Sequence, residues 1–413
     1  MKSDLDSLMA DRDLDALIVT GPTRANPSLN YLVNGAHVGE NTAVIKKRGG
    51  PPVIFAVGME RDEAAKSGLQ VIDRAKYDPL KILKDENGNQ LRARSRLLDR
   101  MLAELGITHG RIAVYGREEQ GAAFALWNDL MAYNPALQIV GEYDDPVLNK
   151  ARATKDADEV ARIKVLANKT MIVVENTWNF LASQRARDGA LVKDDGAPLT
   201  IGDVKKMIRR WSMEENIEHP DDFIFAIGRD AGVPHSRGDD SDPIGLGQTI
   251  IFDIFPAEAG GGYFFDFTRT WCVGHAPPEV QKVYDDVLEI FNITTDSMQA
   301  GAPCGRYQTM TNDFYEKRGH PTLRTNPQTT AGYVHSLGHG VGLDVHEAPS
   351  LSDRAGNDDL LEPGAVITVE PGLYYPDKGF GIRIEDFLWL NPETKTLETI
   401  GDFSKDLVIP LKG

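Results

Sequence analysis

Two cysteines in 413 residues, Cys272 and Cys304, are too few for a disulfide framework or for a zinc site of several thiolates. They read as buried free thiols in a reducing cytoplasm. Long apolar runs are also missing: no segment approaches the roughly 20 apolar residues that a membrane span needs. The opening stretch "MKSDLDSLMADRDLDALIVTG" carries acids from Asp4 onward and no unbroken apolar core, so it does not read as a secretory leader. Basic charge is in deficit, with 45 Lys and Arg against 62 Asp and Glu and a formal net charge of −17. Such a field repels nucleic acid and anionic lipid and draws in cations, so neither a nucleic-acid nor a membrane partner is expected.

What is present is an ordinary globular composition, 41% hydrophobic and 26% charged, long enough for two domains. Up to about residue 146, short apolar runs alternate with amphipathic stretches. "ALIVT" (16–20), "TAVIKK" (42–47), "PVIFAV" (52–57), "LQVID" (69–73), "RIAVYG" (111–116) and "LQIVGE" (137–142) read as strands. Helical spacing covers 90–105 and 119–133, with Leu97, Leu98, Met101, Leu102 and Leu105 on one face. This predicts an N-terminal α/β domain over 1–150. It holds no nucleotide fingerprint and no His, Asp and Glu cluster, so no chemistry is assigned to it. A short polar linker is expected near 145–155.

From Ala153 the texture changes, and a second domain is expected over 151–413. Val160, Ile163, Ala167, Met171, Val174, Trp178 and Leu181 recur at helical spacing. A second helix is predicted to start at Thr200 with Asp203 in capping-box position. Further helices are expected over about 279–298 and 306–318. Strands are expected over 222–228, 249–256, 262–273, 365–370 and 380–390. Helices grouped against a mainly antiparallel sheet make an α+β domain.

Three clusters in that domain can carry chemistry. In "FDIFPAEAGGGYFFDF" (252–267), Asp253 and Asp266 sit in apolar strand-like segments joined by glycines. A hairpin is the economical reading. The even number of intervening residues, twelve, lets a regular hairpin set the two acids directly opposite on one face. There they would repel unless a proton or a cation sits between them; otherwise they face water on a surface hairpin. In "YVHSLGHGVGLDVHE", three of the chain's nine histidines, His335, His339 and His346, fall within twelve residues. Imidazole is the commonest metal ligand at neutral pH, and Gly338, Gly340 and Gly342 permit close approach and argue against a helix. No Gly-Lys-Ser/Thr follows, so a phosphate loop is a poor reading. "HEAPS" places Ser350 where the zinc-protease helix needs its second histidine, and Pro349 would break that helix. The third cluster is acidic: Glu370 in "AVITVEPGLYY" and Glu385 in "GFGIRIEDFLWL". Arg383, two residues before Glu385, would share its face on a strand, so a simple ion pair is open for those two. Glu370 has no partner nearby in sequence. Two Asp, a His and two Glu suit two divalent ions better than one, because carboxylates can bridge.

In their order along the chain, Asp253, Asp266, "GHGVGLDVHE", "TVEPGLYY" and "GIRIEDF" resemble the pita-bread metallopeptidases, in particular the aminopeptidase P and prolidase branch. The resemblance extends over roughly 153–405, and the N-terminal domain looks like the creatinase-type domain of that branch. It implies a pita-bread catalytic domain holding two divalent ions, Mn²⁺ first, with Co²⁺ or Zn²⁺ as alternatives. By position, Asp253 would bind one ion, Asp266 would bridge, His339 and Glu370 would hold the other, and Glu385 would bridge. His235 in "GVPHSRG", His335 and His346 match family histidines beside the substrate, and Arg383 points to the proline-directed enzymes. The family pattern has ten residues between the two aspartates where this chain has twelve, an even excess that keeps the side-chain parity.

The implied activity is hydrolysis of Xaa-Pro bonds at the N-terminus of peptides, with a water shared by the two ions as nucleophile. Glu370, helped by His346, would pass the proton to the leaving nitrogen. A proline-containing peptide is the implied partner, and a homodimer the implied assembly. An Xaa-Pro dipeptidase is the alternative within the branch; a non-catalytic peptide-binding protein and a metal-free creatinase-type amidinohydrolase are the alternatives outside it.

Overall fold

The computed structural model describes residues 4–143 and 146–411. The chain divides into two units, one running up to Arg152 and including Gly260–Gly262, the other comprising Ala153–Ala259 and the residues from Tyr263 onward.

The first unit is built on a six-stranded mixed sheet. Its order is Gln70–Asp73, Pro52–Ala56, Ala43–Lys47, Ala16–Thr20, Gly110–Gly116, Leu137–Val140. The central strand, Ala16–Thr20, runs antiparallel to Ala43–Lys47 and parallel to Gly110–Gly116. It is buried on both faces, and alternation divides its side chains between two cores. Ile18 packs with Leu97, Leu98, Met101 and Leu102 of helix Gln90–Glu104, the face that the spacing predicts. Leu17 and Val19 pack on the opposite side with Leu29, Leu32 and Val33 of helix Pro27–Val33.

The polar linker expected near 145–155 is mostly helix. Residue 145 lies outside the described residues, but Val147–Arg152 is helical and buries Val147, Leu148 and Ala151 in the first unit's core. An apolar set at i, i+1 and i+4, interrupted by Asn149 and Lys150, is too short for periodicity to reveal.

In the second unit, helices Ala157–Ala182, Ile201–Glu214, Pro278–Ser297 and Gly305–Lys317 accompany largely antiparallel sheet. The predicted capping box is present: Asp203 N donates to Thr200 Oγ1 and Thr200 N to Asp203 Oδ2, both at 3.3 Å. One sheet orders Ile224–Ile227, Thr249–Ile254, Phe267–Val273 and Val408–Ile409. A second orders Glu347–Ser350, His339–Gly340, Val366–Val369, Asp386–Leu390 and Leu397–Thr399. A bridge between Thr268 and Glu385 joins the two sheets.

Two expectations change in register or continuity. The 249–273 segment is a hairpin, but Asp253 pairs with Thr268, and the same register continues through Ile254–Phe267 to an Ala257–Phe264 bridge. Asp266 is therefore offset from Asp253 by two positions. It lies on the same face but diagonally rather than opposite. The regular strand begins at Phe267 rather than 262, because Pro256 has no N–H to continue the ladder. The tip turns through Gly260 and Gly261 at φ of +85° and +94°, where a side chain would be strained. The 380–390 strand is likewise two strands, Phe380–Arg383 and Asp386–Leu390. The first pairs with Gly372–Tyr375 and the second with Val366–Val369, and Glu385 between them turns its N–H to Thr268 O at 3.1 Å.

Candidate metal centre

The hairpin brings Asp253 and Asp266 to one face, both buried. Glu385 arrives from the strand break, and Thr268 Oγ1 donates to its Oε2 at 2.7 Å. His339 arrives on a two-residue strand wedged between neighbours, with Gly340 paired to Glu347 on one side and Ile367 on the other. The glycines explain how it fits. A Cβ on Gly338 would lie 2.2 Å from Thr368 O, and one on Gly340 would lie 2.1 Å from Ala348 O. His339 N donates to Thr368 Oγ1 at 3.2 Å, and Val366–Val369 runs directly into Glu370.

The side chains converge. Asp266, His339 and Glu385 each offer an atom to a space in which those atoms lie within 4.8 Å of one another. His339 Nε2 is 3.3 Å from Glu370 Oε1 and 3.7 Å from Asp266 Oδ2. The other ring nitrogen, Nδ1, lies 3.1 Å from Gly340 O. A carbonyl can only accept, so Nδ1 carries the proton and Nε2 turns its lone pair toward the carboxylates. A metal-ligating histidine is commonly held in this way.

Four carboxylates and one guanidinium in a buried space are poorly matched without a cation. Burial, then repulsion from Glu385, Asp253 and Glu370, holds Asp266 well above the usual carboxylate range. Burial, then Glu370 and Asp253, does the same to Glu385. Burial pushes Glu370 up to about 8 against the pull of Arg383. Burial lowers His339 to about 4, favouring the neutral imidazole that a metal needs. Asp253 Oδ1 is buried with no hydrogen-bond partner among the described residues. An unpaired carboxylate oxygen, a bare imidazole nitrogen and excess negative charge fit divalent cations.

Arg383 does not pair with Glu385. Its Nη2 donates to Asp253 Oδ2, its Nε to Thr268 Oγ1 at 3.3 Å and its Nη1 to Tyr374 Oη at 2.7 Å. The chain breaks direction between Arg383 and Glu385, so strand parity does not relate them. Tyr374 Oη is also 2.8 Å from His335 Nε2, while His335 Nδ1 is 2.7 Å from Ser336 O. Nδ1 therefore donates to the carbonyl. Burial and Arg383 lower His335 to about 3, so its Nε2 is an acceptor and the Tyr374 hydroxyl donates to it. The result is a directed chain from Asp253 through Arg383 and Tyr374 to His335.

His346 packs edge-on against His339 with ring centroids 4.2 Å apart and opens to solvent. His235 is exposed, one residue past the Pro234 carbonyl that accepts from Arg383 Nη1 at 3.4 Å. It lies near enough to both His335 and His346 to interact with them electrostatically. Asp253, Asp266, His335, His339, His346, Glu370, Arg383 and Glu385 thus gather at one site, with His235 at its open side. Tyr374 and Thr268 are not singled out by sequence reasoning. The tyrosine pair in "GLYY" is the one signal for the former, and Thr268 offers none.

A model of metallopeptidase family M24 matches residues 184–392. An uncharacterised peptidase of Methanocaldococcus jannaschii is 33% identical over 244 residues, 58% of this chain and 61% of that protein. An Xaa-Pro dipeptidase of Pyrococcus furiosus is 32% identical over 165 residues, 40% of this chain and 43% of that protein. The match thus spans less than two thirds of the length of either relative. Among solved structures, an X-Pro aminopeptidase from Thermotoga maritima superposes with a TM-score of 0.73 at 22% identity, covering 96% of this chain and 97% of the other. An Xaa-Pro dipeptidase from Bacillus anthracis gives 0.75 at 23% identity, covering 98% and 97%. These likenesses show the fold, a pita-bread unit with an N-terminal α/β unit.

Proposed function

This chain belongs to metallopeptidase family M24, and from that membership we propose that it is a dinuclear exopeptidase cleaving Xaa-Pro bonds at the N-terminus of peptides. The observation that carries the reading is the convergence of three carboxylates, Asp266, Glu370 and Glu385, on the bare Nε2 of His339, with one oxygen of buried Asp253 left without a hydrogen-bond partner among the described residues. Asp253, Asp266, His339, Glu370 and Glu385 would hold two divalent cations, Mn²⁺ first, with Asp266 and Glu385 shared between them. When bound, such a pair supplies a nucleophilic water at neutral pH and electrostatic stabilisation of the tetrahedral oxyanion.

The chain's own residues do the rest. Arg383 fixes the second oxygen of Asp253, and the first, buried without a hydrogen-bond partner among the described residues, would be free to meet a cation. Thr268 orients Glu385 in the same manner. Glu370 would pass on the proton that the leaving proline nitrogen must gain, and His346 would assist at the open side. His335, locked by Ser336 O and Tyr374, and His235 orient the peptide.

The proline preference is supported by the matched Xaa-Pro dipeptidase and by the two Xaa-Pro peptidases of the same fold. The first of these also favours a second reading, a dipeptidase confined to Xaa-Pro. Cleavage of Xaa-Pro dipeptides and Xaa-Pro-Xaa tripeptides is to be compared before and after chelation, with Mn²⁺, Co²⁺ or Zn²⁺ restored. Turnover of tripeptides that chelation abolishes and Mn²⁺ restores is the expected result. Turnover of dipeptides alone selects the second reading. Turnover that survives chelation refutes both, and equal cleavage of peptides lacking proline refutes the specificity.

A further inference from the structure

Among the described residues of the second unit, two ion pairs apart from the carboxylate cluster are shut off from water on both sides, Arg269–Asp386 and Lys155–Glu347, and the second borders the segment that carries His346. Lys155 Nζ lies 2.5 Å from Glu347 Oε1, and each side chain is 1% exposed. Burying two charges is costly, and apolar residues of the same volume commonly give as much stability. What such a pair holds in place is therefore the informative question.

Glu347 directly follows His346 and opens the Glu347–Ser350 strand, which pairs with His339–Gly340. Lys155 is tied by its own backbone: its N–H donates to Gly364 O at 2.8 Å, beside a Thr154–Ala365 bridge at the entry to Val366–Val369. Gly342 leaves the space for the contact, since a Cβ there would lie 2.2 Å from Glu347 Oε1 and 2.9 Å from Lys155 Cε. The Gly342 carbonyl in turn accepts from Phe264 N at 2.7 Å, two residues before Asp266. Segments leading to His346, His339, Asp266 and Glu370 all meet at this pair.

Like His235, His346 has little support of its own. Its ring is exposed and touches His339, and no side-chain hydrogen bond fixes it among the described residues. Its direction is set by the backbone at 345–347, and that backbone is tethered through Glu347. We propose that Lys155 and Glu347 form a positioning pair for His346, holding the strand start so that the ring stays against His339 and over the site. The inference rests on the reading of His346 as a residue of the reacting centre. A pair that served folding alone would make the same contact, so the test must separate the two roles.

The test is a mutant cycle with Lys155→Met/Glu347→Leu, His346→Ala and the combination of all three, in the full chain. With both charges of the pair removed together, the Lys155→Met/Glu347→Leu protein is expected to melt within about 5 °C of the parent. Its kcat/KM on an Xaa-Pro peptide is expected to fall roughly 10- to 100-fold. Introduced on top of His346→Ala, the same changes are expected to cost nothing further. A loss that adds in full to that of His346→Ala, or no loss at all, overturns the proposal. If Lys155→Met/Glu347→Leu does not fold, Glu347→Gln, which keeps an acceptor for Lys155, carries the same cycle. A second readout needs neither turnover nor metal. In metal-free protein with ¹³C-labelled histidine, the His346 signal, assigned by its loss in His346→Ala, is expected to move or split in the pair variant while that of His109 stays. An unmoved His346 signal also overturns the proposal. Absence of Xaa-Pro cleavage by the parent would count against the proposed activity alone, since the signal still decides the positioning.

Discussion

Gly340→Ala adds one methyl group at the seam between His339–Gly340 and Glu347–Ser350. The new carbon would lie 2.1 Å from Ala348 O, 2.4 Å from Ala348 C and 2.8 Å from Glu347 O. All three are backbone atoms, so no rotamer change relieves the clash. Reaching a tolerable 3.0 Å requires the two strands to part by roughly 0.9 Å. Gly340 is also paired with Ile367 on its other side, so the His339 strand has little room to retreat. Overpacking of this kind costs about 1–3 kcal/mol, or a fall in Tm of roughly 2–12 °C for a unit of this size.

The local consequence is larger than the global one. His339 Nε2 stands 3.3 Å from Glu370 Oε1 and 3.7 Å from Asp266 Oδ2, so a shift approaching 1 Å takes it out of register with both. Misplacement by about 1 Å can cost roughly 100-fold in rate. Scanning calorimetry of the metal-free chain gives the first number, and Mn²⁺ titration calorimetry with kcat/KM on an Xaa-Pro peptide gives the second. Gly141→Ala, where an added Cβ meets nothing within 4 Å, is the matched control and should change neither. A Gly340→Ala protein that melts with the parent and binds Mn²⁺ with unchanged affinity and stoichiometry would refute the account of how His339 is placed.

Asp266→Ala and Glu385→Ala are each expected to abolish peptide cleavage and to reduce bound Mn²⁺ from two ions per chain to one or none, read by elemental analysis after gel filtration; two retained ions would remove the bridging roles. The metal-free chain should lose stability as pH rises from about 7.5 to about 8.5, in urea unfolding series. In that window Glu370, pushed up to about 8 in the folded state from an ordinary value of 4.5, must give up a proton that the unfolded chain has already lost. His219, His335, His339 and His346, lowered to about 4, 3, 4 and 4 from an ordinary 6.5, act with the opposite sign until the unfolded histidines are deprotonated, roughly one pH unit above that value, which is why the window opens at about 7.5. The slope should shrink in Glu370→Gln and on adding Mn²⁺, and a flat or rising profile for the metal-free parent contradicts the electrostatics of the site. Burial pushes the Cys272 and Cys304 thiols up to about 12, so Ellman's reagent should find no thiol in the folded chain at neutral pH and two in guanidinium; a thiol that reacts while the chain is folded would show the burial to be wrong.

Features whose cause is local are legible from the sequence alone. Thr200 and Asp203 cap a helix with groups three residues apart, and the strands of the first unit are marked by dense β-branched runs. The hairpin at 249–273 is half legible. Parity puts Asp253 and Asp266 on one face in any even register, but which even register holds is chosen by the tip and by Pro256. The observed choice sets the acids on a diagonal, roughly 7–8 Å in a regular ladder, rather than in direct opposition. That spacing eases their repulsion, and it leaves each free to face a different side of the space beside His339.

Arg383 shows why the remainder was hidden. Strand spacing offers Glu385 as its partner, two residues away, and the structure gives it Asp253, 130 residues away. The difference follows from one backbone event: Glu385 turns its N–H to Thr268, so the strand ends at Arg383 and alternation no longer applies. No local pattern encodes that turn, because its cause is the neighbouring hairpin. Tyr374 is hidden for a related reason. An acid in an apolar strand stands out, since its burial demands a partner. A tyrosine there looks like ordinary core, and its hydroxyl acquires meaning only when Arg383 and His335 arrive from other segments to bond it. The candidate ligands therefore stand out by residue type and order, whereas the groups that bond them can be found only once the strands have met.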